Sequence, residues 1–221
     1  MSIDDEKRLV ARAAADVVED GMTVGLGSGS TVGYLLAPLA DRRLDIRCVA
    51  TSTATAAAAA ALGMRVERFD GPGAIDRLDL AIDGADQVAS TGWVVKGGGA
   101  AHTREKAVAA AAERFVVIVS SNKLVDLVSA PIPLELLDFG LAATMRELGH
   151  VALRGVPRSP DGGVIADYLG EVDDPSELAR WLSAVPGVIE HGLFPPSLVS
   201  EVLIARGPTL ERVAVSAPVE D

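Results

Sequence analysis

Apolar strands and helical segments alternate along the first half of the chain, and this alternation constrains the fold more than any other feature. Runs such as Thr23–Leu26 and Phe115–Val119 have the length and the β-branched content of buried strands. Helical segments lie between such runs, and the clearest is the nearly all-alanine stretch at 54–62. Strands that alternate with helices form a parallel sheet covered by helices. The sequence therefore predicts an α/β fold.

The pattern predicts the following elements in this half of the chain. Helices are expected at 4–18, 32–40, 54–62 and 102–114, and strands at 23–26, 46–50, 64–68, 78–82, 93–95 and 115–119.

A different order of elements follows Lys123. Strands are predicted at 134–137, 151–153, 164–168 and 188–191, with helices at 140–148 and 175–184. This is the βαββαβ order of a smaller, ferredoxin-like α+β domain. Two last strands, at 198–206 and 210–215, are expected to return to the first sheet, which makes the second domain an insertion. The predicted domains are 1–128 with 198–221, and 129–197.

Composition excludes several classes of partner. The net charge of −11 argues against nucleic acid and against an anionic membrane surface. No apolar run reaches membrane-spanning length, and the charged N-terminus lacks the apolar core of a signal peptide. The single cysteine, Cys48, permits no disulfide within the chain. We therefore expect a cytoplasmic protein.

The segment VKGGGAAHTREK, at 95–106, is the strongest candidate site. Gly97, Gly98 and Gly99 precede a predicted helix, where free N–H groups and the helix dipole favour an anion. Lys96 adds a cation, and Glu105 falls in the first turns of the helix. A tight strand-to-helix turn is the alternative, but a lysine and three glycines followed by a glutamate favour a site.

A second glycine-rich loop, GLGSGST at 25–31, resembles a phosphate cradle. Its glycines, including Gly29, expose backbone N–H groups, and Ser28, Ser30 and Thr31 supply hydroxyl groups at a helix start. The dinucleotide fingerprint is excluded, because its third glycine would fall at Ser30. A glycine-rich turn with a helix cap remains the alternative.

Two further segments follow predicted strands. Asp83 and Asp86, with Gly84 and Ala85 between them, end one strand, and Lys123 stands shortly after another. Ligands bind at this edge of parallel sheets, where paired carboxylates exchange protons with hydroxyl groups or bind a divalent metal. The alternatives are a turn for the aspartates and a solvated side chain for the lysine. The histidines show no metal-binding spacing.

These motifs together resemble ribose-5-phosphate isomerase of the A type. GLGSGST, DGAD, KGGGAAHTREK and SNKLVD stand in the order of that family and close to its spacing. The resemblance implies a Rossmann-like domain with a smaller ferredoxin-like domain. It implies interconversion of ribose 5-phosphate and ribulose 5-phosphate in the non-oxidative branch of the pentose phosphate pathway, with no metal or organic cofactor. It also implies a homodimer or homotetramer.

Roles for single residues follow from the same resemblance. It makes Glu105 the proton acceptor, with Asp83, Asp86 and Lys96 as the other catalytic residues. Substrate or phosphate contacts are expected at Ser28, Gly29, Ser30, Thr31, Gly84, Ala85, Gly97, Gly98, Gly99, Lys123 and Lys7.

The chain departs from the family pattern at two places. Gln87 replaces the glutamate that often follows DGAD, and Ser159–Gly163 stands where a TDNGN-like run is usual. The second departure bears on oligomer contacts more than on chemistry. The alternatives are an isomerase of another sugar phosphate and a non-catalytic sugar-phosphate sensor, although an acidic chain without a helix-turn-helix does not suit a DNA-binding sensor. A metal-dependent hydrolase is less well supported, because no further ligand cluster accompanies the aspartates.

Overall fold

The computed structural model of the protein describes residues 1–215. The strands are β1 (Thr23–Leu26), β2 (Arg47–Ala50), β3 (Arg65–Val66), β4 (Leu78–Asp83), β5 (Gln87–Ala89), β6 (Val94–Val95), β7 (Ala112–Ser120), β8 (Leu124–Val125), β9 (Ile132–Leu136), β10 (Val151–Leu153), β11 (Val164–Tyr168), β12 (Val188–His191), β13 (Leu193–Phe194), β14 (Glu201–Arg206) and β15 (Thr209–Ala214). The helices are α1 (Ile3–Asp16), α2 (Gly29–Asp41), α3 (Thr53–Ala61), α4 (His102–Ala111), α5 (Leu141–Leu148) and α6 (Pro175–Ala184). No helix in this described part is both long and apolar enough to cross a membrane.

The chain forms two compact units. Among the described residues, the first unit contains Met1–Ala85, Arg104–Leu124 and 196–215, and the second contains Asp86–Thr103 and Val125–Pro195. The predicted division, 1–128 with 198–221 and 129–197, instead groups 86–103 with the first part. The domain boundaries stay a prediction, and 216–221 lie outside the described residues.

The first unit is built on a seven-stranded sheet in the order β15-β14-β7-β4-β1-β2-β3. All neighbours are parallel except β14 and β15, which form an antiparallel hairpin at one edge. The core between this sheet and its helices includes Leu26, Leu35, Ile118 and Leu203, all fully buried. The predicted α/β fold is confirmed, and so is the return of the last two strands to the first sheet.

The second unit contains an antiparallel sheet in the order β10-β11-β9-β12. With α5 and α6 it has the predicted βαββαβ order. Helix α6 starts at the predicted position, and the structure shows Asp174 as its cap and Pro175 in its first turn. Its core includes Ile132, Leu134 and Leu182. The ferredoxin-like prediction is therefore confirmed.

Many element ends differ from the predictions by one to three residues, and two differences have a clear physical reason. Helix α4 ends at Ala111, not at Arg114, because β7 begins at Ala112 and pairs with β4 from Leu78 onwards. A small sheet in the order β13-β6-β5-β8 was predicted only in part, through the strand expected at 93–95. Its strands have two or three residues, too few for an alternating pattern to be read.

Candidate active site

Two glycines of the loop between β1 and α2 leave no room for a side chain. A Cβ atom at Gly25 would lie 2.4 Å from Cγ1 of Val108, and one at Gly27 would lie 1.9 Å from Cγ of Asp83. Gly25 therefore allows α4 to pack against β1, and this packing places the helix that carries Glu105. Gly27 allows the carboxylate at the end of β4 to lie against the loop. Each glycine permits a close approach that any side chain would block.

Ser28 joins two buried carboxylates of the first unit, Asp83 and Glu105. Its backbone N–H donates to Oδ1 of Asp83 over 3.1 Å, and its hydroxyl group donates to Oε1 of Glu105 over 2.5 Å. Oδ1 of Asp83 also accepts the N–H of Gly84 over 2.7 Å. Asp83 is 3% exposed and Glu105 is 6% exposed. Buried charged groups need such partners, and these bonds fix the orientations of both carboxylates.

The first turn of α2 provides amide groups for an anion. Ser28 is its N-cap residue but makes no side-chain capping bond, unlike Ser2 at α1. The first-turn amides, at Gly29, Ser30 and Thr31, have no preceding carbonyl of the same helix to bind. Gly29 and Ser30 are exposed. The hydroxyl group of Ser28 thus binds Glu105 and does not cap the helix. The first-turn N–H groups of α2 can therefore bind an anion.

Not every N–H group of the predicted phosphate cradle is available to a ligand. The N–H of Gly27 donates to the carbonyl of Ile82 over 2.9 Å, and the N–H of Ser28 is bound to Asp83. Thr31 lies close to Gly84, since a Cβ built at Gly84 would be 3.7 Å from Cβ of Thr31. Gly84 and the following Ala85 are half-buried.

A buried carboxylate on α1, Glu6, joins the two segments that carry Lys7 and Lys123. Oε2 of Glu6 accepts from the N–H and the hydroxyl group of Ser121, each over 2.8 Å, and Oε1 accepts from the N–H of Gly207 over 2.7 Å. These bonds, first that from Gly207 and then that from Ser121, outweigh burial and hold the pKa of Glu6 below its ordinary value. Lys123 ends the short turn that starts at Ser121. Lys7 pairs with Asp4 over 3.2 Å.

The second unit carries the other predicted catalytic residues. Lys96 is 3% exposed, and its Nζ lies 5.6 Å from the ring centroid of Phe194. Asp86 is half-buried, and its Oδ2 accepts the N–H of Gly98 over 2.7 Å. Gly98 and Gly99 are exposed. Asp86 therefore contacts the glycine segment directly.

The glycine segment turns sharply. Gly97 has φ of 105° and Ala100 has φ of 62°, and the N–H of Ala100 donates to the carbonyl of Gly97 over 2.9 Å. A Cβ at Gly97 would lie 2.7 Å from Nδ1 of His102 and 2.7 Å from Cβ of Pro133. A non-glycine residue at positive φ is uncommon and is found at functional sites. Buried His102, to which the sequence assigned no role, thus packs beneath the turn.

Arg154 contacts the glycine segment but was not found from the sequence. Its Nη1 donates to the carbonyls of Gly97 and Gly98, over 2.8 and 3.2 Å. Its Nε and Nη2 donate to the two carboxylate oxygens of Asp167 on β11. No local pattern marks this arginine, because the contact joins positions more than fifty residues apart.

Glu135 is the second residue that the sequence analysis missed. It is 1% exposed on β9 and accepts hydrogen bonds from the hydroxyl groups of Thr103 and Ser159. Thr103 lies in the first turn of α4, two positions before Glu105. Glu135 therefore binds a residue of the first turn of α4 that belongs to its own unit.

No group of three or more His, Cys, Asp or Glu side chains among residues 1–215 is arranged to hold a metal ion.

Comparison with known families identifies the chain. Residues 47–208 match the family model described as ribose 5-phosphate isomerase A (phosphoriboisomerase A). The chain belongs to this isomerase family. A curated ribose-5-phosphate isomerase A from Rhodopseudomonas palustris (strain HaA2) is 42% identical over 225 residues, which cover 93% of this chain and 95% of that protein. A second family model, the DeoR C-terminal sensor domain, matches residues 3–88.

Solved structures of the isomerase family have the same fold. The ribose 5-phosphate isomerase A of Methanocaldococcus jannaschii superposes with a TM-score of 0.88 at 31% identity, covering 96% of this chain and 100% of that one. A D-ribose-5-phosphate isomerase in complex with phospho-erythronic acid gives a TM-score of 0.90 at 31% identity, covering 97% and 100% of the two chains.

Proposed function

We propose that this protein interconverts ribose 5-phosphate and ribulose 5-phosphate through an enediolate. Membership of the isomerase A family supports this activity. The observation that carries the mechanism is the pair of buried carboxylates, Asp83 and Glu105, that Ser28 holds by its N–H and its hydroxyl group. Aldose–ketose isomerisation needs a well-placed base, a group that opens the sugar ring and donors for a developing oxyanion.

Glu105 is the base in this proposal. It removes the proton from C2 of the open-chain aldose and returns it to C1, while a proton passes from the oxygen on C2 to the oxygen on C1. The hydroxyl group of Ser28 binds Oε1 of Glu105, which orients the carboxylate.

The remaining catalytic residues act on the oxygens of the sugar. Asp83 assists ring opening by exchanging a proton with the ring oxygen or the C1 hydroxyl group, and Asp86 orients the substrate hydroxyl groups. Lys96 and the N–H groups of Gly97 and Gly99 stabilise the negative charge of the enediolate, while the N–H of Gly98 binds Asp86. Removing one such donor typically lowers the rate by ~10²–10³-fold.

The phosphate group is assigned to the start of α2. Its amides, with the side chains of Ser30 and Thr31, suit a dianion at a helix N-terminus. We assign supporting contacts to Ser28, Gly29, Gly84, Ala85, Lys7 and Lys123. Binding at the phosphate orients the reacting carbons and leaves the chemistry to the carboxylates.

The replacement Glu105→Gln tests the assignment of the base. We expect kcat to fall by ~10²–10⁴-fold, because the amide keeps the shape of the side chain but accepts no proton. Proton NMR of ribose 5-phosphate in D₂O measures both conversion and deuterium incorporation. Glu113→Gln, at an exposed position just after α4, is the matched control. Near-normal turnover of Glu105→Gln would refute the role.

Two alternatives are separated by further measurements. A sensor is less well supported, because the sensor-domain match ends at residue 88 and so does not include Lys96 or Glu105. An isomerase of another sugar phosphate would turn over a different member of a pentose and hexose phosphate panel faster. Loss of activity in EDTA, with recovery on adding a divalent ion, would overturn the proposal that no metal is needed.

The cellular setting is also proposed. We assign the protein to the non-oxidative branch of the pentose phosphate pathway, in the cytoplasm, as a homodimer or homotetramer. Light scattering coupled to size-exclusion chromatography measures the oligomeric state, and a monomeric mass would contradict it.

A further inference from the structure

Arg154 is tied to one carboxylate and to two consecutive carbonyl groups. Its Nε donates to Oδ2 of Asp167 over 2.8 Å, Nη2 donates to Oδ1, and Nη1 is left for the carbonyls of Gly97 and Gly98. Its backbone N–H also donates to the carbonyl of Ile165 over 2.9 Å, which continues the pairing of β10 and β11. The guanidinium group is therefore held from both its main chain and its side chain.

This arrangement determines the orientation of two peptide groups. In a planar trans peptide the C=O and the N–H point in opposite directions. The peptide between Gly97 and Gly98 has its carbonyl on Arg154 and its N–H on Asp86, at 2.8 and 2.7 Å. The next peptide has the carbonyl of Gly98 on Arg154, so the N–H of Gly99 points away from Arg154.

The N–H of Gly99 donates to no acceptor within residues 1–215. A Cβ built at Gly99 would meet nothing within 4 Å, so the space beside it is open. By contrast, the N–H groups of Lys96, Gly98 and Ala100 are all bound within the second unit. Gly99 therefore offers a directed donor.

We propose that Arg154, held by Asp167, is a positioning residue that orients the Gly98–Gly99 peptide so that the N–H of Gly99 binds the enediolate oxygen. The proposal rests on the substrate contacts assigned to Lys96–Gly99 above. Arginine suits this task because its planar guanidinium group binds a carboxylate through two atoms and still presents a third nitrogen. Lysine has one nitrogen and cannot hold the same geometry.

Arg154→Lys and Asp167→Asn test the proposal, with Arg158→Lys as the matched control. Arg158 is an exposed arginine of the same unit that pairs with Asp138 and donates to the carbonyl of Gly162. We measure kcat and KM for ribose 5-phosphate, the inhibition constant of phospho-erythronic acid and the thermal unfolding temperature. The carboxylate of this acid is planar and negatively charged, as the reacting carbons and oxygens of the enediolate are, so it tests binding to the oxyanion donors.

Arg154→Lys is expected to lower kcat by ~10–10²-fold, the scale of a displacement of about 1 Å. The affinity for phospho-erythronic acid should fall with it, while KM changes by less than about three-fold, because a misdirected oxyanion donor acts on the transition state. Asp167→Asn should change the same two quantities in the same direction. The double variant should be no slower than Arg154→Lys alone, since both residues act through one contact.

Several results would overturn the inference. One is a kcat within about two-fold of wild type in both single variants at a temperature well below their unfolding, even if they unfold earlier. Loss of substrate affinity with unchanged kcat is another. If Arg154→Lys does not fold, Asp167→Asn alone decides between these outcomes. A wild-type protein that fails to isomerise ribose 5-phosphate would instead refute the proposed function, and the role of Arg154 with it.

Discussion

Replacing Glu6 by glutamine removes a charge that three hydrogen bonds stabilise. Oε2 accepts from the N–H and the hydroxyl group of Ser121, and Oε1 accepts from the N–H of Gly207. A glutamine has one acceptor oxygen, so in either orientation its NH₂ group faces a backbone N–H. One backbone donor therefore loses its acceptor, and the bonds that remain lose the help of the charge.

The loss of stability in Glu6→Gln can be estimated from these contacts. Hydrogen bonds to charged groups contribute about 1.5–3 kcal/mol each, and a buried unsatisfied donor costs about 1–3 kcal/mol. Glu6 is 5% exposed, so solvent does not replace the lost bonds. We expect Glu6→Gln to lower the free energy of unfolding by about 2–4 kcal/mol at pH 7. Glu19→Gln, at an exposed position shortly after α1, should change the free energy of unfolding by less than about 0.5 kcal/mol.

The pH dependence of this difference in unfolding free energy gives a second, independent test of the role of the Glu6 charge. The pKa of Glu6 is lowered in the folded state from the ordinary value of 4.5. A lowered pKa contributes stability that is present above the unfolded value and is lost as pH falls through the folded value. The difference between wild type and Glu6→Gln should therefore be constant from pH 8 to about pH 5.5 and shrink below that.

Urea unfolding followed by far-ultraviolet circular dichroism measures this difference. Tryptophan fluorescence is less suitable, because Trp93 and Trp181 both lie in the second unit, whereas Glu6 lies in the first. A variant as stable as wild type at pH 7 would refute the reasoning. So would a difference that stays the same down to pH 4, because it would not depend on ionisation of the carboxylate.

Two further predictions concern the first unit. Gly27→Ala places a Cβ 1.9 Å from Cγ of Asp83, so the carboxylate must move. Steady-state kinetics should show kcat lower by about 10²-fold, and an unchanged kcat would contradict the role of the loop. The control is Gly33→Ala, where nothing lies within 4 Å of the added Cβ. Cys48 is fully buried, and burial raises the pKa of its thiol to about 11. Iodoacetamide at pH 8 should therefore label this thiol only after the protein unfolds. Mass spectrometry measures the labelling, and rapid labelling of the native protein would contradict the burial of Cys48.

Much of the fold was predictable because the buried strands and amphipathic helices have strong local patterns. The strands at 23–26, 151–153, 164–168 and 188–191 have the predicted bounds, as does the helix at 175–184. The end of α4 was wrong for a physical reason. Glu113 and Arg114 continue a good helix-forming sequence, but pairing of this segment with β4 places it in a strand, and such tertiary pairing overrides helix propensity.

The site was predictable where its residues belong to short motifs in the sequence. Gly27, Ser28 and Asp83 belong to motifs at strand ends, and the carboxyl edge of a parallel sheet collects such residues. The contacts of Ser28 with two carboxylates and of Arg154 with the glycine carbonyls join distant positions. Only the folded chain reveals such partners, since neither the type of residue nor its spacing encodes them.

The unusual run at 159–163 shows what the second domain must keep when its sequence changes. The hydroxyl group of Ser159 donates to the buried Glu135 and accepts the N–H of Gly163, and a threonine at this position could form the same bonds. A Cβ at Gly163 would lie 2.1 Å from Oε1 of Glu135, so the glycine allows the carboxylate to approach. Pro160 and Gly162 are exposed. Because Glu135 also binds Thr103 in the first turn of α4, the divergent run keeps a connected set of hydrogen bonds within the second unit, from Ser159 through Glu135 to Thr103.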